Sequence, residues 1–195
     1  VGGWTARLLT EMGAKLVAVL DHTGGVHDAD GIDAMALLEH VAKEGGVQGF
    51  GRAEAIGAED FYKTRVDVFV PAALEQMVGE REAAWLDAKV VVEGANAPTT
   101  PEGDLVLLQR GIEVLPAILC NAGGVTVSYF EWVQNKTSTR WTEQEVDQKL
   151  QTHMVTAARR VKLARVKYEC DMRTASFCAA CEHIARVYEH RGVFP

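Results

Sequence analysis

Along this chain, apolar runs end again and again on residues that could do chemistry. LVAVL (16–20) ends on Asp21, and VDVFV (66–70) is followed by Pro71-Ala72-Ala73. The run at 89–93 is followed by Gly94-Ala95-Asn96, and the run at 112–115 leads through PAILC to Asn121. A carboxylate accepts hydrogen bonds from sugar hydroxyls, small residues admit a flat ring against the backbone, and an amide both donates and accepts, as a carboxamide partner requires. Asp21 also lies about twenty residues beyond Gly2, the interval at which an acid meets the adenosine ribose of a dinucleotide. Taken singly, each residue has a structural reading as a turn acid, a packing residue or a helix cap. Their recurrence at strand after strand favours one site, because open α/β sheets bind ligands beyond the carboxyl ends of their strands.

Asn121-Ala122-Gly123-Gly124 then runs into VTVSYFEW. The glycines allow a tight turn into a helix whose first N–H groups carry partial positive charge. Val125 and Ser128 share a face of its first turn, where a hydroxyl can hold a carboxylate beside the dipole. The competing reading is a capped helix with Ser128 bonding its own backbone. The cysteines Cys120, Cys170, Cys178 and Cys181 give a different signal. Cys178 and Cys181 form a C-x-x-C inside a helix-forming run, without a helix start to generate a thiolate and without two further ligands for zinc. They read as packing residues, no metal is expected, and the compartment is expected to be reducing and cytoplasmic.

The elements that must position these residues follow from periodicity. Trp4, Leu8, Leu9 and Met12 recur at helical spacing, stopped by Gly13. LVAVL, VDVFVP (66–71) and KVVVEG (89–94) are short apolar runs expected as parallel strands buried on both faces. HTGGVHDADG reads as a loop, DAMALLEHVAKEGG as a helix stopped by Gly45 and Gly46, and LEQMVGEREAAWL as largely helical. PEGDLVLLQRG is a helix from Pro101 to Gly111, followed by the strand IEVLP. Strands alternating with helices predict an α/β fold, a Rossmann-like parallel sheet with helices on both faces, followed by a helical C-terminal segment. Helix alone follows Gly124, and Thr142 with Glu145 forms a capping box. The expected division is a dinucleotide-binding domain over 1–140 and C-terminal helices over 141–195.

The totals agree. The 195 residues are 48% hydrophobic and 24% charged, enough to bury a core, and the net charge is −7. With no basic run, nucleic acid is excluded as a partner. No apolar run reaches membrane-spanning length, so no membrane partner is expected.

VVEGANAPTTPEGD, VDVFVPAALE and ILCNAGGVTVSYFEWVQN together resemble the cofactor-binding half of the glutamate dehydrogenase family. The similarity continues through WTEQEV and MRTASFCAACEHIARVYEHRG. Leucine and phenylalanine dehydrogenases share the fold but lack the GAN-x-PTTPE wording. The short link KTSTR leaves no room for the long antenna of animal forms, so the bacterial type is the nearer match. In the family, VGGWTARLL follows a strand and a glycine turn, and Gly2 is similar to the last glycine of that fingerprint. The resemblance implies hydride transfer between a nicotinamide cofactor, NAD or NADP, and the α-carbon of L-glutamate, giving 2-oxoglutarate and ammonia. It places Gly2 at the end of the fingerprint turn, gives Gly94 and Ala95 to cofactor binding, and sets Asp21, with His22 beside it, on the adenosine ribose. Ala72 and Ala73 fall on the adenine side, Asn96 and Asn121 at the nicotinamide end, and Val125 and Ser128 toward the substrate. Asp21 repels a 2′-phosphate and favours NAD, although His22 and Thr23 adjoin it.

The resemblance also implies a hexamer and catalytic proton-transfer groups in an N-terminal domain, so no catalytic residue is assigned here. The segment alone, without the first strand of its sheet, is expected to be inert and poorly folded. The other readings are a non-catalytic dinucleotide-binding or regulatory module and a related amino-acid dehydrogenase. Three departures mark this chain: Ala97 where the family usually has Gly, Gln76 where it has Asn, and Ala117 where it has Asp. A φ > 0 conformation at Ala97 would be strained.

Overall fold

The computed structural model describes residues 1–192. The chain divides into two compact units, Val1–Ile112 and the residues from Glu113 onward. The division expected at residue 140 lies later in the chain than this boundary, because the helices that follow residue 113 pack with those after them.

The first unit opens with α1 (Gly2–Glu11), ended by Gly13 at φ 94°. None of its residues is buried, and Trp4, Leu8 and Met12 remain exposed. It packs on α2 (Ala34–Glu44) where Gly3 meets Leu38, so closely that a Cβ at Gly3 would lie 2.7 Å from Leu38. Asp33 caps α2 by accepting from the Met35 and Ala36 N–H groups, and Gly45 ends it in the left-handed region.

Between these helices the structure departs from the sequence expectation. Strand β1 (Ala18–Asp21) turns through His22-Thr23 into β2 (Gly24–His27), and the two pair antiparallel with Asp21 opposite Gly24. Within the stretch expected as a loop, Gly24–His27 is therefore a strand, and among the described residues β1 pairs antiparallel rather than in parallel. The reason is Gly25, which faces Leu20 and Ile56 so closely that a Cβ would lie 2.8 Å from the Ile56 carbonyl oxygen. Glycine lets β2 fit between β1 and β3 (Glu54–Ile56). Val26, Ile32, Leu37, Val47 and Phe50 form the core beneath this sheet.

The rest of the unit is the expected parallel arrangement. Strand β4 (Val66–Phe69) pairs in parallel with β5 (Ala88–Val92). Neither strand is buried along both faces, since Val68 of β4 and Lys89 of β5 stay exposed, and β1 is only half-buried along its length. A short helix, α3 (Ala58–Lys63), carries Tyr62, whose ring meets Phe69 and Trp85 and whose hydroxyl donates to the Met77 carbonyl at 2.9 Å. The helix expected from Leu74 is confined to α4 (Glu80–Trp85). Residues 74–79 turn instead, because Gln76 takes φ 56° and Val78 forms a parallel bridge with Thr99. Helix α5 (Pro101–Gln109) starts on Pro101 behind a Thr100 cap, with Gly111 at φ 71° beyond its end, as the sequence predicts.

The second unit begins with β6 (Glu113–Leu115) and α6 (Ala117–Cys120), then α7 (Ala122–Thr137), α8 (Glu143–Tyr168) and α9 (Met172–Arg191). The Thr142–Glu145 capping box is present at the start of α8. Glu145 is held below the ordinary carboxyl value by the Thr142 N–H and then by its hydroxyl. A small core of Val161, Ala164 and Ala175 joins α8 to α9, with Cys170 and Cys178 against it. The stripe Phe177, Ile184 and Val187 on α9 is exposed.

Candidate functional site

In the first unit three segments meet with almost no side chain between them. The end of β4 supplies the Pro71 carbonyl, which accepts from Gly94 N–H at 3.1 Å and Ala95 N–H at 3.0 Å. A Cβ at Gly94 would lie 3.2 Å from the Ala72 Cβ and 3.5 Å from Val1 Cγ1. A Cβ at Gly2 would lie 3.7 Å from the Ala72 Cβ. Gly2, Ala72, Gly94 and Ala95 are thus brought together where the strand ends meet the start of α1. The first-turn N–H groups of α1 have no intrahelical acceptor, which makes this bare corner suited to an anion.

Asn96 sits exposed in the bend that follows, and Ala73 is exposed in the bend after β4. The two bends are tied by Gln76 N–H, which donates to the Ala97 carbonyl at 2.9 Å, and by Val78 N–H, which donates to the Pro98 carbonyl at 2.9 Å. Ala97 stands at φ 41° and Gln76 at φ 56°, so two departures from the family wording fall on left-handed backbone. Such a conformation costs a Cβ-bearing residue ~1–2 kcal/mol. Behind them, the Thr99 hydroxyl is buried without a hydrogen-bond partner.

Asp21 is held at the end of β1 by the chain itself. Its Oδ1 accepts from Thr23 N–H at 2.8 Å and from the Thr23 hydroxyl at 2.5 Å, and its Oδ2 accepts from Val47 N–H at 3.0 Å. Partial burial pushes the carboxyl up, but these three hydrogen bonds and nearby His22 outweigh it and hold it below its ordinary value. His22 is exposed at the hairpin tip. Neither Val47 nor the bond from Thr23 carries a signal in the sequence, because the link to Asp21 spans 26 residues in one case and is a turn contact in the other.

In the second unit, Asn121 is both the C-cap of α6 and the N-cap of α7. Gly123 and Gly124 lie inside the first turn of α7 rather than before it. Val125 and Ser128 are exposed on that helix, and the Ser128 hydroxyl donates to the Gly124 carbonyl at 3.2 Å. This back-bond is the structural alternative for Ser128; the hydroxyl carries one proton, so it donates to a carboxylate only by rotating out of the bond to Gly124. No disulfide joins any of the four cysteines, Cys178 and Cys181 lie well inside α9, and no metal-binding group of three or more side chains occurs among the described residues. Among those residues no helix is long and apolar enough to cross a membrane.

A model of the Glutamate/Leucine/Phenylalanine/Valine dehydrogenase family matches residues 1–192. The chain belongs to this dehydrogenase family. It is 43% identical over its whole length to glutamate dehydrogenase of Thermotoga maritima, and 42% identical to NADP-specific glutamate dehydrogenase A1 of Halobacterium salinarum. In each case it covers 47% of the relative, so the chain spans about half the length of these dehydrogenases. Among solved structures, the glutamate dehydrogenase of Peptoniphilus asaccharolyticus is 34% identical with a TM-score of 0.82, matching 100% of this chain and 45% of that one. The hetero-hexameric glutamate dehydrogenase of Thermus thermophilus, in its Leu-bound form, gives a TM-score of 0.91 at 28% identity, again over 100% of this chain and 46% of that one. Members of the family use nicotinamide cofactors, and the fold described above is theirs.

Proposed function

We propose that this chain is the cofactor-binding part of a glutamate dehydrogenase, which oxidatively deaminates L-glutamate to 2-oxoglutarate and ammonia with reduction of NAD or NADP, NAD being preferred. The bare corner of Gly2, Ala72 and Gly94 carries this reading, because an N-terminal helix turn approached by two strand ends and no bulky side chain fits a pyrophosphate. The nicotinamide group, when bound, accepts the hydride from the substrate α-carbon. The chain's own residues then bind and orient. The α1 N–H groups beside Gly2 hold the pyrophosphate, Asp21 with His22 beside it faces the adenosine ribose, and Ala72 and Ala73 leave room on the adenine side. Gly94 and Ala95 keep the turn low, while Asn96 and Asn121 serve the carboxamide end. Val125 and Ser128 face the substrate, Ser128 as a partner for the distal carboxylate.

Removing a hydride and an amino group also requires a proton relay. No lysine of residues 1–195 is assigned to it; we assign it to the remainder of the full-length protein. A hexamer is the proposed assembly, in line with the hexameric Thermus relative. The reading is tested by steady-state reduction of NAD by the full-length protein with glutamate, leucine and phenylalanine as competing substrates. Turnover with glutamate far above the other two is expected. Preference for leucine or phenylalanine would assign a sister activity, and dinucleotide binding without turnover would assign a non-catalytic module.

A further inference from the structure

The Asp21 side chain is fixed by a network of hydrogen bonds, and that network centres on Thr23. The Thr23 hydroxyl donates to Asp21 Oδ1 at 2.5 Å and accepts from Gln48 N–H at 3.1 Å. Val47, next in the same loop, donates its N–H to Asp21 Oδ2 at 3.0 Å. One hydroxyl therefore joins the β1–β2 hairpin to the loop after α2, and that loop holds the second carboxylate oxygen. Gly46 completes the fit. A Cβ there would lie 2.2 Å from Thr23 Cγ2 and 2.4 Å from Thr23 Oγ1, so only glycine lets the threonine stand where it does. A carboxylate offers about four acceptor positions. Three are filled from within the chain, so the group is fixed in direction and keeps one position for an outside donor.

We propose that Thr23, seated against Gly46, is the positioning residue that sets the cofactor choice of this site. Resting on the dehydrogenase reading above, it holds the charge of Asp21 in one place, where a ribose hydroxyl can donate to it and a 2′-phosphate is repelled. Serine keeps the hydroxyl, whereas valine keeps the shape and loses both hydrogen bonds. In the valine variant the two backbone N–H groups still reach Asp21, but the loop that carries one of them is no longer tied to the hairpin. The carboxylate can then turn away, which weakens NAD and relaxes the repulsion of NADP.

The test is calorimetric titration of NAD and NADP into the full-length protein as wild type, Thr23→Val, Thr23→Ser and Asp21→Ser. The NAD-to-NADP affinity ratio should fall about tenfold in Thr23→Val, the scale of one hydrogen bond to a charged group, and stay near the wild-type value in Thr23→Ser. A purely structural role would lower both affinities together and leave the ratio unchanged, which would overturn the proposal. So would a Thr23→Ser variant as impaired in ratio as Thr23→Val. If Asp21→Ser shifts the ratio and Thr23→Val does not, the positioning role alone fails. If the wild type binds neither dinucleotide, the dehydrogenase reading fails with it. Should Thr23→Val not fold, Gly46→Ala, whose Cβ must push the threonine hydroxyl aside, has to lower the same ratio; an unchanged ratio there is again a refutation.

Discussion

Asp21 and Ser128, the two side chains given the most specific roles, are held in opposite ways. The carboxylate of Asp21 accepts three hydrogen bonds from two separate segments of its unit. The hydroxyl of Ser128 is exposed on its helix and makes a single bond to a carbonyl one turn back. The first is organised before any ligand arrives; the second can reorient when one does. Preorganisation lowers the cost of binding, so the adenosine end should discriminate sharply and the substrate end should adapt.

Breaking the organised end should have the largest effect. Asp21→Ser removes the charged acceptor and is expected to weaken NAD binding by ~1.5–3 kcal/mol, the range for hydrogen bonds to a charged group, while relatively favouring NADP. Competition titration in the full-length protein measures it. At the adaptable end, Ser128→Ala should raise the KM for glutamate by roughly 0.5–1.5 kcal/mol equivalent, less than a buried bond to a carboxylate because the exposed hydroxyl must first leave Gly124, and leave the Kd for NAD alone. Unchanged glutamate kinetics would show that the back-bond to Gly124 is the whole role of that hydroxyl.

The strained bend at Ala97 allows a gain. Ala97→Gly relieves a left-handed alanine and should raise stability by ~0.5–1 kcal/mol after the greater chain entropy of glycine is subtracted. A urea midpoint that falls would contradict the strain. A smaller effect concerns acid. The Asp21 carboxyl lies below its ordinary value of 3.8 when folded, so its contribution to stability is complete above that pH and is lost as pH falls through the lowered value. The stability gap between wild type and Asp21→Asn should therefore be constant at neutral pH and narrow below 3.8. A gap that widens in acid would reverse the sign assigned here.

Signals that act over one turn of helix were legible in the sequence. Pro101 with Gly111, and Thr142 with Glu145, mark their helices because caps and stops are local chemistry. The meeting of the residues after β4 and β5 was legible, because the ends of two parallel paired strands fall at one edge of the sheet. Strand β2 was not legible, since Gly24-Gly25 reads as a loop until Leu20 and Ile56 are seen to leave room for nothing larger than glycine. Shortening of the helix to Glu80–Trp85 was equally hidden, because the left-handed turn at Gln76 depends on a bond to Ala97 in another segment. The tie from Asp21 to Val47 leaves no local pattern, and only the fold brings it together.

The central claim is that residues of this chain form a dinucleotide site poised for NAD. Its most direct test is the titration of NAD and NADP into the full-length wild-type protein beside Gly94→Val, whose side chain would fill the corner against Ala72 and Val1. Wild type should bind NAD more tightly than NADP, and Gly94→Val should lose both while retaining a cooperative melt. Undiminished NAD binding by a folded Gly94→Val protein would contradict the claim.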